Sequence, residues 1–491
     1  MDIPYWIYKD CFIFKPKFND SIIDYSGIIK QSRKLIFSNH NNYEHNIKII
    51  EDKVCCDKYD FGELNQYDFG KFNQPLLNSL DRLTNLTHLT FGYYFNQPLK
   101  GSFNQLVNLR HLTFGHNFNI PLSNSLDQLI NLTRITFGFN FNIQLGYSLD
   151  KLTKLTHLIF GYCFNQPLSN SLDKLIKLTH LTFGYGFNLQ LANSLDKLIN
   201  LTLIDFGVDF NIPLDNSLNK LINLTYLTFS HDFNQPLNKS LNQLIKLTRL
   251  TFGYYFNMPL DNSLSQLKNL THLTFGNSFN KPLANSLGKL INLTHLTFSN
   301  DFNQLLNKSL NQLINLADIT FGYWFNQPLA NSLDKLINLT HIIFGCHFNI
   351  PLGNSLDKLV NLTQITFGGL FNQPLNNTLY YLTKLKHLTL GNEFNQELNL
   401  PSNIKILTLS CNNHYIIDSL PNSIEELNLY HPFNLPIDNL PNSIKKISFG
   451  GNNRYNIQLN NLPISLEELK LPPTYNWEIK NIPPNCKIIY L

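Results

Sequence analysis

Leu86-Thr87-His88-Leu89-Thr90-Phe91-Gly92-Tyr93-Tyr94-Phe95-Asn96-Gln97-Pro98-Leu99-Lys100-Gly101-Ser102-Phe103-Asn104-Gln105-Leu106-Val107-Asn108 is one pass through a unit that this chain repeats with little drift. Its refrain is Phe-Asn-x-Pro-Leu. The Phe returns at 72, 95, 118, 141, 164, 187, 210, 233, 256, 279, 302, 325, 348, 371 and 394, a period of 23 residues, and in all fifteen copies Asn follows it and Leu stands fifth. A fixed period of that length signals stacked units, each covering its neighbour's apolar edge. In a 491-residue chain, length then counts turns of a stack and not separate globular cores.

Within the unit, Leu89 and Phe91 alternate with His88 and Thr90, the period-two pattern of a strand buried on one face. Thr is favoured on such a surface, and it returns in the Thr90 column in ten later copies. Gly92 ends the strand, Phe95 turns inward, Pro98 fixes φ without needing a donor, and Leu99 packs beneath. Pro holds its place in eleven of the fifteen copies, the exceptions being Gln144, Gln190, Leu305 and Glu397, so it assists the turn without being indispensable. From Asn78 to Asn85, Leu80 and Leu83 lead to Leu86 at intervals of three, which suits a single helical or 3-10 turn capped by Ser or Asn. Leu86, Leu89, Phe91, Phe95, Leu99, Phe103 and Leu106 are the expected core of one turn. The invariant asparagines Asn96, Asn119, Asn142, Asn165, Asn188, Asn211, Asn234 and Asn257 are expected to form a ladder that satisfies backbone groups inside the stack, since a buried amide needs partners.

Composition narrows the setting. Charged residues make up 15% of the chain and formal net charge is +4, so no charge run points to nucleic acid or to a membrane. Met1-Asp2-Ile3-Pro4 begins without the positive charges of a secretory signal, and no apolar stretch approaches the roughly 18 residues of a membrane span. Seven scattered cysteines, Cys55-Cys56 adjacent among them, lack metal-ligand or C-x-x-C spacing. Asn-Leu-Thr recurs at Asn85, Asn131, Asn200, Asn223, Asn269, Asn292, Asn338 and Asn361, each beside a Leu that the repeat needs buried, where glycans would be hard to fit. A cytoplasmic location follows as the expectation, the host cytoplasm if the source is viral.

The Leu86-x-x-Leu89-x-Phe91 skeleton resembles a leucine-rich repeat, and Phe95-Asn96-Gln97-Pro98-Leu99, Phe118-Asn119-Ile120-Pro121-Leu122 and Phe210-Asn211-Ile212-Pro213 are similar to the FNIP repeat family, a leucine-rich-repeat subgroup of amoebozoans and giant DNA viruses. The resemblance covers about two-thirds of the chain. It implies an α/β horseshoe-type leucine-rich-repeat solenoid: one long parallel sheet, short helical or 3-10 turns and loops on the convex side, and a role in protein–protein interaction. One departure stands out. The familiar repeat has its Asn three residues after the third apolar strand position, whereas Asn96 lies five after Phe91.

Three regions are expected. Residues 1–66 fall outside the period and read as a cap, with Leu35-Ile36-Phe37-Ser38 an isolated strand of the same type and Tyr67-Asp68-Phe69-Gly70-Lys71-Phe72 an irregular approach to the first refrain. Residues 67–398 are the 23-residue array. Residues 399–491 continue it in shorter steps, with Ile404, Ile424, Ile444, Leu466 and Cys486 each opening an x-x-apolar-x-apolar strand and Leu-Pro pairs at 420, 440 and 462 tightening the outer turn.

Two surface columns carry candidate chemistry. His88, His111, His157, His180, His272, His295, His341 and His387 share one position on the exposed strand face, where a metal site would want three or four ligands and finds Thr, so a solvated surface residue copied by duplication is the expectation. The positions after Gly92 vary most and are rich in rings: Tyr93, Tyr94, Phe139, Tyr162, Tyr185, Tyr254, Tyr255, Tyr323 and Trp324 are the candidate partner-binding residues, because Tyr and Trp dominate binding hot spots. The competing reading is that these rings pack on the next turn. Leu203, Asp205 and Asp318 interrupt the strand face; a local hot spot is one reading of them, and drift is the expectation. No phosphate-cradling loop, nucleophile elbow or paired carboxylates appear, so a non-catalytic scaffold with a protein partner and no cofactor is expected. The alternative is a substrate adaptor of a ubiquitin ligase, since some FNIP relatives carry an F-box ahead of the repeats, although Met1 to His45 has few Leu residues at helical spacing.

Overall fold

The structure, a computed structural model, describes residues 3–38, 70–450 and 452–491; Cys55-Cys56 and the approach from Glu63 to Phe69 lie outside these. The chain divides into two compact units, 1–247 and 248–491, each a stack of turns whose strands form a parallel sheet.

In the first unit, β1 (Tyr5–Tyr8) pairs antiparallel with β2 (Cys11–Phe14), β2 pairs parallel with β3 (Lys34–Phe37), and β3 pairs parallel with β4 (His88–Thr90). From β4 onward the pairing steps by one repeat, His88 opposite His111, Leu89 opposite Leu112 and Thr90 opposite Thr113, through to Leu203 opposite Tyr226. The strands are short because Gly92 and its equivalents end them at a close approach. A Cβ on Gly115 would stand 1.8 Å from the carbonyl oxygen of Gly92.

The 23-residue spacing reaches further back than the refrain, which corrects the sequence reading of everything before about Gln66 as outside the period. Cys11 pairs with Lys34, 23 residues on, and Phe14 stacks on Phe18 at 3.8 Å much as Phe91 stacks on Phe95 at 4.0 Å. Phe18-Asn19 is therefore a refrain stripped of its Pro and Leu. Leu35-Ile36-Phe37 is likewise no isolated strand: it pairs with Leu89 and Thr90, and Phe37 stacks on Phe72 at 4.2 Å. Between these turns the offset grows to 54, as in the bond from Thr87 Oγ1 to the Arg33 carbonyl. Tyr94 N donates to Gly70 O as Asn117 N donates to Tyr93 O, so Gly70 occupies the Tyr93 column. Residues 39–69 are thus inserted between two neighbouring columns, and that insertion moved β3 out of register with the period in the sequence.

In the second unit, parallel strands run from Arg249–Thr251 to Lys487–Tyr490. The later steps shorten as the sequence suggests, with one correction at the end: Leu469 pairs with Ile488, not with the Ile489 that the spacing selects. Helices are few, the second unit having Asn376–Tyr380 and His414–Asp418.

Two Phe columns form the core in both units. Phe91 stacks on Phe95 at 4.0 Å and on Phe114 at 5.9 Å, Phe95 stacks on Phe118 at 6.1 Å, and the seven core positions of that turn are all buried. Opposite the strands, Leu83 N donates to Leu80 O and Leu86 N to Leu83 O, each at 2.9 Å, so the turn side is built from i to i+3 bonds of 3-10 type. The adjoining Ser79, buried, donates its hydroxyl to the Leu76 carbonyl.

Candidate interaction surface

The strand face carries a threonine ladder that positions the histidines. Thr156 Oγ1 donates to the Thr133 carbonyl at 2.9 Å, Thr179 to Thr156 at 3.0 Å, and in the second unit Thr271 to Thr248 and Thr294 to Thr271 at 3.0 Å. Each of these hydroxyls also lies 2.8–2.9 Å from Nδ1 of the next residue, His157, His180, His272 or His295. A hydroxyl has one proton, and here it goes to the carbonyl, so the imidazole Nδ1–H is the donor, and in His157, His180 and His272 Nε2 carries the lone pair of the neutral ring; Nε2 of His295 instead meets the Asp318 carboxylate. Successive rings meet across strands: His88 and His111, His157 and His180, and His272 and His295 all have centroids 4.2 Å apart. Burial, then His111, pushes His88 down to about 4; burial lowers His180 and His272 as well, with Arg134 and His295 next in importance.

The refrain asparagines form a ladder of side chain to backbone. Asn96 N donates to Asn73 Oδ1, Asn119 N to Asn96 Oδ1, Asn142 N to Asn119 Oδ1 and Asn165 N to Asn142 Oδ1, all at 2.9 Å. Asn188, Asn211 and Asn234 continue it in the first unit, and Asn257 Oδ1 accepts from Asn280 N in the second. These residues are half-exposed or exposed, so the ladder runs along the surface edge and not inside the stack. Where Gln follows, it adds a rung: Gln97 Nε2 donates to Asn73 O at 3.0 Å. The Asn of the Asn-Leu-Thr motif makes a second ladder, with Asn131, Asn200 and Asn223 Nδ2 donating to carbonyls of the preceding turn.

At the strand exit, the first unit gathers five rings into one row. Tyr93 stacks on His116 at 4.1 Å, His116 on Phe139 at 4.5 Å, Phe139 on Tyr162 at 4.4 Å, and Tyr162 meets Tyr185 at 4.9 Å. Tyr94 leans edge-on against Tyr93 at 5.0 Å. His116 belongs to this row as fully as its neighbours, although ring type alone had not selected it; its column was the signal. The second unit instead holds two separate groups, Tyr254 with Tyr255, and Tyr323 with Trp324 and His347, the last 3.9 Å from the indole. Asn277 and Asn300 occupy the column between them. Tyr94, Tyr162, Tyr185, Tyr254, Tyr255, Tyr323 and Trp324 are exposed, while Tyr93 and Phe139 are half-buried.

The interruptions of the strand face are structured. Asp205 Oδ1 accepts from Gly207 N at 3.0 Å and redirects that turn, and burial raises its carboxyl. Asp318 is bracketed by histidines: Oδ2 lies 2.9 Å from His295 Nε2 and Oδ1 lies 2.7 Å from His341 Nδ1. Among the described residues no three His, Cys, Asp or Glu side chains gather as a metal cage. In the short turns the structure adds two residues that pattern reading missed, Asn413 and Asn453, fully buried with Nδ2 donating to the Gln396 and Leu429 carbonyls. Their signal was the Asn-Asn pair closing each of those strands.

Comparison with known proteins places this geometry. The profile of the FNIP Repeat matches residues 394–431 and 433–473. CroV588 of a giant virus, solved as a novel circular LRR protein structure, is 29% identical with a TM-score of 0.73, the alignment covering 99% of this chain and 76% of that one. Drosophila Toll, solved in complex with Spatzle, is 15% identical with a TM-score of 0.64 over 97% of this chain and 68% of that one. The TLR13–ssRNA13 complex gives 16% identity and a TM-score of 0.53 over 99% and 86%. The last two likenesses concern the fold. No curated protein matches the sequence.

Proposed function

The chain is an FNIP-repeat protein with a leucine-rich-repeat solenoid fold, and from that premise we propose that it is a non-catalytic protein-binding scaffold whose partner lies across the strand face and the exit row. The observation that carries this reading is the row from Tyr93 to Tyr185. Five rings held by one another lose little freedom when a partner covers their outer edges, and rigid aromatic surface is what binding hot spots are made of. Mutual stacking and partner binding are compatible here, because Tyr162 and Tyr185 remain 41% and 45% exposed within the row. The adaptor alternative draws no support from residues 3–38, whose helical segments are the single short turns Ile22–Tyr25 and Ser26–Ile29 between strands of the stack.

A cytoplasmic setting fits the side chains. The described cysteines Cys11, Cys163, Cys346, Cys411 and Cys486 are free thiols, and burial pushes Cys11 up to about 12 and Cys411 up to about 11, which keeps them protonated and inert. No helix among the described residues is long and apolar enough to cross a membrane.

The test is affinity capture with the full chain, compared between Tyr162→Ala/Tyr185→Ala and Tyr254→Ala/Tyr255→Ala/Tyr323→Ala/Trp324→Ala. The reading expects the first variant to lose its partner with its melting curve little changed. Undiminished capture by both variants would reject the surface.

A further inference from the structure

We propose that the strand face of the first unit, from Lys34 to His180, takes an acidic protein segment. Its carboxylates meet Arg33, Lys34, Arg110 and Arg134, and an apolar side chain meets the edges of the exit row. This names the chemistry of the partner and rests on the scaffold reading above. Down the strand-entry column the register runs Lys34, His88, His111, Arg134, His157 and His180, each opposite the next. Arg33 and Arg110 stand in the column just before it and are exposed, while Lys34 and Arg134 are half-buried. Residues 86–95, 109–118, 132–141, 155–164 and 178–187, which make this face and its exit, contain no Asp or Glu. Carboxylates mark only its ends: Asp10, whose carbonyl accepts from Arg33 N at 2.8 Å, and Asp205, engaged with Gly207 N.

The same column in the second unit mixes signs. Asp318 stands between His295 and His341, and Glu426, Lys446, Glu468 and Lys487 follow farther on, so carboxylates and cations share that face. In the first unit the cations reinforce one another: behind burial and His111, Lys34 and Arg33 also lower His88, with Asp10 acting the other way, and Arg134 follows burial in lowering His180. A guanidinium offers a planar fork to a carboxylate, and a partner of opposite sign is what such a field selects. The three-residue strands set the second contact about 10 Å farther on, roughly three residues of an extended segment. The ring row argues against nucleic acid. Bases bind the faces of aromatic rings, and here both faces of His116 and Phe139 are taken by neighbours at 4.1–4.5 Å with planes inclined by 7–16°. Ring edges are what the row offers, and they suit an apolar side chain.

Fluorescence anisotropy of a labelled glutamate–tyrosine copolymer with the full chain at pH 7.5 tests the assignment, with labelled poly-L-lysine and oligouridylate beside it. The copolymer is expected to bind, the other two are not, and its binding should weaken as NaCl is raised from 0.05 to 0.3 M. Arg110→Thr/Arg134→Gln gives each position a residue its own column carries elsewhere, at Thr133 and Gln364, and is expected to weaken the copolymer at least about 10-fold with a native melting curve. Lys174→Gln/Lys197→Gln removes the same two charges from the exposed turn side and should leave binding unchanged. Absence of copolymer binding, binding of oligouridylate in its place, or equal weakening by the two variants would overturn the inference. Partner capture that survives Arg110→Thr/Arg134→Gln but is lost in Tyr162→Ala/Tyr185→Ala would reject the acidic partner and leave the scaffold reading standing.

Discussion

Within the second unit, the 23-residue turns and the shorter turns after residue 398 solve one problem by different chemistry. Both must tie each turn to the one before along the column that precedes the strand. In the long turns that column is mostly threonine, with Ala317 and Lys386 the exceptions, and the hydroxyls of Thr271, Thr294, Thr340 and Thr363 donate to the carbonyl one turn back at 3.0–3.1 Å. In the short turns the same column reads Lys405, Glu425 and Lys445, and the tie is ionic: Lys405 Nζ lies 2.8 Å from Glu425 Oε1 and Lys445 Nζ 3.9 Å from Oε2. The core changes too. Phe at the strand's last buried position gives way to Leu409 and Leu429, though Phe449 keeps it, and the outer turn closes on Pro421 and Pro441, whose carbonyls accept from Ile424 and Ile444 at 3.2 Å. A repeat that hardly varies ties its turns with neutral, directional bonds, while the divergent turns substitute charge pairs and buried amides for them.

The largest expected effect separates the two cores. Phe325 stacks on Phe302 at 6.1 Å, Phe321 at 4.4 Å and Phe348 at 6.0 Å, whereas the equivalent Phe433 has Tyr455 beside it at 6.3 Å. Both rings are fully buried. Phe325→Ala is expected to cost about 3–5 kcal/mol, at the top of that range because three ring contacts go at once, and Phe433→Ala less. Denaturant melts of the two variants check this, and equal losses would break the contrast.

The strand-end column sharpens it further. A Cβ on Gly345 would meet the Gly322 carbonyl oxygen at 1.8 Å, so Gly345→Ala is expected to cost about 1–3 kcal/mol through forced backbone movement. Ser230 and Ser299 occupy the same column, and their hydroxyls donate to the Phe210 and Phe279 carbonyls. Gly345→Ser should therefore be milder than Gly345→Ala, the reverse of what size alone dictates. In the short turns the column holds Ser410 and Tyr430, and Ser410→Ala is expected to be close to neutral by thermal denaturation.

How far the sequence carried follows from the same contrast. The strands, their register and the Phe and Leu columns were legible because burial in a stack leaves every copy under one constraint, and the spelling repeats with it. The row of rings was legible as a column but not as a row, since stacking depends on which neighbours are planar, and His116 is as planar as Tyr93. What was lost had been displaced: β2 and β3 belong to the stack, yet Phe18-Asn19 has no Pro-Leu and the 31 residues 39–69 separate Phe37 from Phe72. The register of the last strand was misjudged by one residue because Lys487–Tyr490 has no fully buried side chain to mark its phase.

Acid should act on the two regions in sequence. His88, held at about 4 mainly by burial, and His180 and His272, also lowered chiefly by burial, resist the charged form in the fold but accept it freely once unfolded, where the ordinary value is 6.5. The unfolded state then binds more protons, so stability is complete above pH 6.5 and drains away as pH falls toward about 4. Glu425 and Glu468 are lowered, the first-listed cause being hydrogen bonds from Lys405 and Lys470, so what they contribute persists down to the ordinary carboxylate value of 4.5 and is lost only below it. Hydrogen exchange at pH 5.0 against pH 7.5, corrected for intrinsic rates, is expected to show loosening in the histidine-bearing turns and little change in residues 405–470. Equal melting temperatures at the two pH values would contradict it.

The smallest effect concerns the ionic ties themselves. Lys405, Glu425 and Lys445 are each 44–52% exposed, so water and salt screen their attraction. Glu425→Gln is accordingly expected to lower the melting temperature only slightly, and the difference should shrink as salt is raised. Thr294→Val in the long turns removes a neutral hydroxyl that supports both the Thr271 carbonyl and His295, so its cost should exceed that of Glu425→Gln and stay constant with salt. Melting both variants at low salt and at 0.5 M NaCl separates the two kinds of tie. A salt-dependent loss in Thr294→Val, or a larger loss in Glu425→Gln, would mean that the charged column binds turns more tightly than its exposure allows.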